Sequence, residues 1–377
     1  MKNNFRLCII AGLILIIAIL CIFFSLRPDT GPLENNTTAE KIVITDAPGR
    51  VITLDEPAQR IACTHYSVSE AIQLAGAWDK VVARDGYLSN EKFYPGVEDL
   101  PVICPARNPM DINYEEIIAI HPDVLILPNF SWLGDTDEII GKLEPDVHVV
   151  FVDTLNPDTF CDTIETIGKI AGTEDEAGEY IEFYRSIYDP VVSITSDISK
   201  EDRPNVFFKA FSDEIDEIKT YGSEFPGGNE LFNAAGVRNV AEDLPINCAD
   251  VDEEWLLEQD IDAIAAICWD KKYPETFGYN VSDPSAARIQ AEEIKDEIGE
   301  LDVFSNSKAV EDDEIYLLNN EMTSTPRYII TIAYMAKWFH PDLFEDLDPK
   351  ALHQEYLDRF IPGDYNLSEC GLMVYPD

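Results

Sequence analysis

The stretch from Thr173 to Ser199 constrains the fold most, because its pattern predicts one long helix with comparable segments on both sides. Thr173 is a candidate N-cap with Glu176 three residues further on, and acidic residues crowd the first turn. Apolar residues then recur with helical spacing as far as Tyr188. A helix of this length would be about 40 Å long, enough to cross one lobe and reach a second.

Two segments flanking this helix, Ile112 to Asn129 and Val251 to Asp270, repeat one pattern. Each has an acidic helix start, a short amphipathic helix, a turn containing aspartate and a continuous apolar run typical of a buried parallel strand. The alternative is an ordinary amphipathic helix inside one large domain. The repeat favours an α/β fold in which two lobes with parallel sheets are joined by one long bridging helix, preceded by an N-terminal transmembrane segment.

The N-terminal segment predicts attachment to a membrane. Leu7 to Leu26 contains twenty residues without a charge and follows Lys2 and Arg6. It is long enough to span a bilayer, so we expect an uncleaved anchor at the outer face of the cell membrane, with cleavage and secretion as the alternative. The predicted domains are an N-terminal signal anchor (1–27), a flexible tether with sequons at Asn35 and Asn36 (28–40), an N-terminal α/β lobe (41–172), the bridging helix (173–199) and a C-terminal α/β lobe (200–377).

Charge and motifs narrow the function to binding. A net charge of −45, from 72 acidic and 27 basic residues, argues against a nucleic-acid partner. No hydrolase, NTPase, zincin, EF-hand or dinucleotide motif occurs, so catalysis has no motif to support it. The five histidines sit in positions typical of structural residues, and no bare metal site is expected. The six cysteines beyond the N-terminal segment are either disulfide-bonded or buried thiols.

Six sequence blocks follow one another between Lys41 and about Phe360. They are ITDAPGRVITL, RIACTHYSVSEAIQLAG, NYEEIIAIHPDVLIL, NELFNAAGVRNVAED, EEWLLEQDIDAIAA and STPRYIITIAYMAKWFHPDLF. In this order they resemble the solute-binding proteins of ABC importers for iron complexes, haem and cobalamin. The resemblance implies two α/β lobes joined by a single long helix, no cofactor and no catalysis. It also implies delivery of an iron complex, haem or corrinoid to permease subunits with their ATPase.

Ligand-binding residues are predicted from strand ends, because ligands bind at the carboxyl edge of open α/β sheets. Aromatic residues at several of these ends suit a bulky, flat or chelated ligand. His65 or Tyr66 could approach an iron or cobalt, with helix capping as the alternative for His65, and Lys209 or Arg327 could hold a ligand carboxylate or catecholate. The predicted residues are His65, Tyr66, Tyr87, Phe130, Trp132, Lys209, Tyr221, Trp269, Thr323 and Arg327.

The resemblance also implies a docking role for one acidic residue on the outer surface of each lobe, which would meet arginines of the permease. The matching positions are Glu230 in the C-terminal lobe and Asp137 or Glu138 in the N-terminal lobe. The alternatives to an importer subunit are a surface enzyme or chelatase, and a sensory or adhesive ectodomain that binds without transport.

Overall fold

Two sheets carry the fold, and they are built from separate parts of the chain. The computed structural model describes residues 41–106, 111–130 and 136–377. The predicted anchor, Leu7 to Leu26, and the sequons at Asn35 and Asn36 lie outside the described residues. Among the residues that are described, no helix has the length and apolar character needed to cross a membrane.

The first sheet is wholly parallel, as predicted. Its five strands lie in the order β5-β4-β3-β6-β7, and an antiparallel hairpin, β1-β2, precedes it. We call this sheet, the hairpin and their helices the first lobe. The strands are β1 (Ile42–Thr45), β2 (Val51–Leu54), β3 (Ile61–Cys63), β4 (Val81–Asp85), β5 (Val102–Cys104), β6 (Val124–Pro128) and β7 (His148–Val152), and the helices are α1 (Tyr66–Leu74), α2 (Tyr114–Ile120) and α3 (Thr136–Leu143).

Two helices follow β7, namely α4 (Phe160–Ala171) and α5 (Glu174–Thr195). Helix α5 is the predicted long helix, and it ends four residues earlier than expected. Thr173 occupies the N-cap position, but its hydroxyl donates a hydrogen bond to the carbonyl oxygen of Ala75 at 2.6 Å and makes no capping bond. The capping arrangement predicted for Thr173 and Glu176 is therefore wrong, because a tertiary contact to the first lobe uses the hydroxyl.

The second sheet has seven strands and is mixed, which corrects the prediction of a parallel sheet. Strands β8, β10, β12 and β13 pair in parallel, whereas β8 with β9, β9 with β11, and β13 with β14 pair antiparallel. The link from β8 to β9 contains no helix, and such short links favour antiparallel neighbours. The strands are β8 (Asn205–Lys209), β9 (Lys219–Tyr221), β10 (Arg238–Asn239), β11 (Cys248–Asp250), β12 (Ala263–Cys268), β13 (Ile315–Asn319) and β14 (Val374–Tyr375).

Seven described helices accompany this sheet and form the second lobe with it. They are α6 (Gly228–Ala234), α7 (Glu253–Leu257), α8 (Pro284–Gly299), α9 (Lys308–Glu311), α10 (Glu321–Ser324), α11 (Tyr328–Phe339) and α12 (Pro349–Phe360). Helix α5 packs against α1 and α4 of the first lobe and against α6 and α11 of the second. It therefore contacts both lobes along its length.

One continuous apolar core joins the two lobes. Alternate side chains of β6 divide between two cores: Val124 and Ile126 face the shared core, whereas Leu125 faces a core within the first lobe. Strand β12 alternates in the same way. Helix α5 supplies the fully buried Tyr180 and Tyr184 to the shared core. Because this core spans both sheets, bending at α5 would expose apolar surface, and the lobes have little freedom to hinge.

The lobes also touch where Gly227 precedes α6. Gly227 has a φ of +69°, and a Cβ atom there would lie 1.8 Å from the carbonyl oxygen of Leu155, just after β7. Only glycine fits, because any side chain would both strain the backbone and strike the first lobe.

A left-handed backbone alone costs a non-glycine residue about 1–2 kcal/mol. We expect Gly227→Ala to lower the free energy of unfolding by more than this, because the added methyl group also strikes Leu155. Urea unfolding of purified protein would measure the change. Gly141→Ala is the matched control, since Gly141 lies on α3 with no atom within 4 Å of the added methyl group, and it should be neutral or slightly stabilising. Equal destabilisation by both variants would contradict the close approach.

Candidate functional site

A cavity of about 260 Å³ lies between the lobes, where loops after strands of both sheets face one another. The loop after β4 provides one wall, and the loops after β12 and β13 provide the other. This is the carboxyl edge of the parallel strands, where ligands bind in open α/β sheets. We call it the interlobe cavity; its lining includes Tyr87, Asn90, Tyr94, Asp270, Lys271, Tyr279, Asn319 and Glu321.

Three of the predicted aromatic residues contact one another, and we call them the aromatic cluster: Tyr66, Tyr87 and Trp269. Of the three, Tyr87 lines the cavity. The rings of Tyr66 and Tyr87 are 4.4 Å apart between centroids. From the second lobe, the indole Nε1 of Trp269 donates a hydrogen bond to the Tyr87 hydroxyl at 3.2 Å. The cluster therefore crosses the cleft and offers flat apolar faces beside a polar cavity.

His65 and Phe130 lie behind the aromatic cluster and support it. His65 is the N-cap of α1 with a φ of +73°, and its Nδ1 accepts a hydrogen bond from the backbone of Ser67. Its ring stacks on Tyr66 at 4.2 Å and meets the edge of Phe130 at 5.0 Å. Burial lowers the pKa of His65 to about 3, so the imidazole is neutral. These contacts match the alternative of a helix cap rather than an iron ligand.

Arg327 forms a buried ionic network between the lobes. Its guanidinium donates two hydrogen bonds to the Glu70 carboxylate of α1, at 2.9 and 2.8 Å, and a third to Glu321 at 2.7 Å. The hydroxyl of Tyr356 also donates to Glu70 at 2.6 Å. The side chain of Arg327 is 3% exposed and that of Glu70 is 0% exposed. Two protein carboxylates thus hold the guanidinium of Arg327. These contacts do not support the prediction that Arg327 binds a ligand carboxylate.

Three further predicted residues, Lys209, Tyr221 and Thr323, do not line the cavity. Lys209 is buried, with its ammonium on Ser212 and the carbonyl oxygen of Glu217, and burial lowers its pKa to about 8. Tyr221 packs on other aromatic rings of the second lobe. The hydroxyl of Thr323 donates to a neighbouring carbonyl within α10. Trp132 lies outside the described residues.

The charged groups of the interlobe cavity lie outside the ten ligand-binding residues predicted from the sequence. Asp270 and Glu321 are acidic, and Lys271 is basic. Burial raises the pKa of the Asp270 carboxyl, and the Glu321 charge raises it further. Asp270 and Lys271 directly follow Trp269, and their position just after a strand end is a sequence signal for a cavity residue. Tyr279 carries no such signal, because it reaches the cavity from the long link between β12 and α8.

The predicted docking acids lie at helix starts, as their sequence positions suggested. Asp137 and Glu138 are exposed in the first turn of α3, and Glu138 forms an ion pair with Lys142 at 2.6 Å. Glu230 is half-buried in the first turn of α6. It lines an open groove that also contacts Asn129 of the first lobe.

The described residues also bear on two further kinds of site, a metal site and a reactive thiol. Within ranges 41–106, 111–130 and 136–377, no cluster of three His, Cys, Asp or Glu side chains has metal-binding geometry. The six cysteines there are free thiols. Burial raises the pKa of Cys63 and of Cys268 to about 12, so both thiols are protonated and unreactive.

A model of the periplasmic binding protein family matches residues 61–322. This match spans most of the chain. The chain belongs to the periplasmic binding protein family. The match confirms the resemblance found in the sequence. Members of this family bind transported ligands and carry no cofactor of their own. No curated protein matches the chain.

Solved structures of periplasmic binding proteins share this fold. The TroA-like protein FepB of Veillonella parvula is 23% identical, with 88% of this chain and 99% of that chain covered and a TM-score of 0.71. The molybdate-binding MolA of Haemophilus influenzae is 17% identical, with 86% and 99% covered and a TM-score of 0.65. The vitamin B12 binding protein BtuF of Vibrio cholerae is 19% identical, with 75% and 97% covered and a TM-score of 0.55.

We expect Glu70→Gln to lower the free energy of unfolding by about 3 kcal/mol, because Glu70 pairs with the buried Arg327 across the lobes. Removing one partner leaves the Arg327 charge poorly compensated out of water. Glu355→Gln is the matched control, because Glu355 pairs with Arg359 on the exposed face of α12, and its loss should cost less than about 0.5 kcal/mol. Urea unfolding at one pH would measure both. Similar small losses would show that the network does not hold the lobes.

Proposed function

We propose that this protein is the extracytoplasmic substrate-binding component of an ABC importer. In this role it captures an iron complex, either a siderophore complex or haem, or a corrinoid, and delivers it to the permease. The observation that carries the proposal is the interlobe cavity, which lies at the carboxyl edges of both sheets beside the aromatic cluster. The family supports the roles of ligand binding and of a permease with its ATPase as partner.

The size of the interlobe cavity bears on how such a ligand would bind. The cavity has a volume of about 260 Å³. Typical ligand pockets have volumes of about 300–1,000 Å³, so this cavity is slightly smaller. Because the shared core resists hinging, a bulky chelate would place only part of its surface in the cavity. Its remainder would project past Lys271 and Asn280, which are exposed at the rim.

The proposal includes placement at the outer face of the membrane. Residues 1–27 would anchor the chain there and residues 28–40 would tether it, with 41–172 and 200–377 forming lobes on either side of the 173–199 bridge. In this arrangement the two lobes would carry the ligand, and the anchor would keep it near the permease.

We expect Trp269→Ala to weaken ligand binding by about 1–3 kcal/mol without unfolding the protein, because Trp269 is half-buried beside Tyr87, which lines the cavity, and is not part of the shared core. The natural ligand is first identified by the absorption spectrum of protein purified from its native host. Titration of stripped protein with that chromophore then measures affinity. Trp255→Ala on α7, outside the cavity, is the control and should leave affinity unchanged. Unchanged affinity in both variants would mean that the ligand binds elsewhere.

Delivery is tested by Glu230→Arg, which should keep ligand affinity but abolish ATPase stimulation in a reconstituted importer. The change would replace an attractive contact with permease arginines by like-charge repulsion. Glu253→Arg, at the exposed start of α7, is a matched helix-start control and should stimulate normally. A further variant replaces Glu230, Asp137 and Glu138 with arginine. If it still stimulates the ATPase fully at physiological salt, these acids only stabilise their own helices and do not dock.

A further inference from the structure

Among the described residues that line the interlobe cavity, Lys271 alone has a basic side chain that could bind an anion. Arg327 lies next to the cavity, but its guanidinium donates to Glu70 and Glu321. Lys209 is buried on its own lobe and does not line the cavity. An anionic complex would therefore meet two carboxylates and a single ammonium.

The ammonium of Lys271 shows which kind of group the aromatic cluster accepts. Its Nζ lies 4.3 Å from the ring centroid of Tyr87 and 5.1 Å from that of Trp269. The face of an aromatic ring carries partial negative charge and attracts cations at such distances. Lys271 is exposed, so its ammonium can return to water when a ligand cation displaces it. The protein thus places its own cation where a cationic ligand would bind.

Asp270 supplies a second, independent reason to expect a positive ligand. Its Oδ1 atom is buried and has no hydrogen-bond partner among the described residues. A buried carboxylate oxygen without a donor is costly, and native proteins rarely leave one so. Because Asp270 lines the cavity, a positive charge on a ligand bound there would stabilise its carboxylate.

We propose that the interlobe cavity selects cationic ligands over anionic ones, with Asp270 as a specificity-determining residue and Lys271 as a displaceable competitor. This inference rests on the proposed function and narrows it to chelates or corrinoids that carry a positive charge. The ligand cation binds over Tyr87 and Trp269 and is balanced by Asp270.

The test compares three iron chelates of different charge, titrated into the purified full-length protein at about 0.15 M salt to screen long-range effects of the acidic surface. The probes are ferrioxamine B, a cationic trihydroxamate; ferrichrome, a neutral one; and ferric enterobactin, an anionic tricatecholate. We expect the cation to bind at least about tenfold more tightly than the anion. Asp270→Asn should weaken binding of the cation about tenfold and leave that of the neutral chelate within about twofold.

Two further variants separate local from general charge effects. Glu275→Gln removes one negative charge from an exposed position of the same loop and should leave every affinity unchanged. Lys271→Gln should strengthen binding of the cation several-fold, because no tethered ammonium then competes. A merely structural role for Asp270 would weaken all three chelates equally.

The outcomes distinguish the inference from the function on which it rests. If chelates bind but the anion binds as tightly as the cation, or Asp270→Asn behaves like Glu275→Gln, the charge selection is wrong and the binding function stands. If no chelate or corrinoid binds and the protein purified from its host is colourless, the proposed function fails and this inference fails with it.

Discussion

The buried ion pair between Glu70 and Arg327 is the interaction on which the arrangement of the lobes depends. Taking each charge out of water costs several kcal/mol, and only close geometry with further hydrogen bonds offsets that cost. Here the carboxylate accepts two bonds from Arg327 and one from Tyr356, while Glu321 accepts a third bond from Arg327. A displacement of one lobe by a single ångström would break these bonds without water to replace them. The pair therefore fixes one relative position of the lobes.

The network and the cavity share residues, which ties recognition to architecture. Glu321 lines the cavity and accepts a bond from Arg327, and Tyr279 lines it while bonding to the buried His353 at 2.9 Å. These walls are thus preorganised by groups that no ligand touches, which lowers the entropy lost on binding. The guanidinium of Arg327 is thus occupied by the structure, whereas Asp270 lines the cavity without such a partner cation among the described residues.

Local patterns in the sequence predicted most of the elements and the aromatic residues that contact one another in the cleft. The apolar runs at β6 and β12 identified buried strands, and strand ends led to Tyr66, Tyr87 and Trp269. The pattern missed the antiparallel pairs of the second sheet, because their strands are too short to carry a periodic signal. It also assigned Arg327 to a ligand, since nothing near Glu70 in the sequence shows that this glutamate faces a second lobe. Long-range pairing of charges depends on the fold and cannot be found from local spacing.

Glu70 pairs with residues that lie far along the chain. Arg327 lies 257 residues further along the chain and Tyr356 lies 286 residues further. Contacts between such distant residues form slowly, because a long loop must close before they yield any stabilisation. The first lobe can therefore collapse while the Glu70 carboxylate keeps its water on what is still an open surface. Docking of the second lobe would strip that water as the guanidinium arrives, so we expect the loss of hydration and the gain of the ion pair to occur in one step.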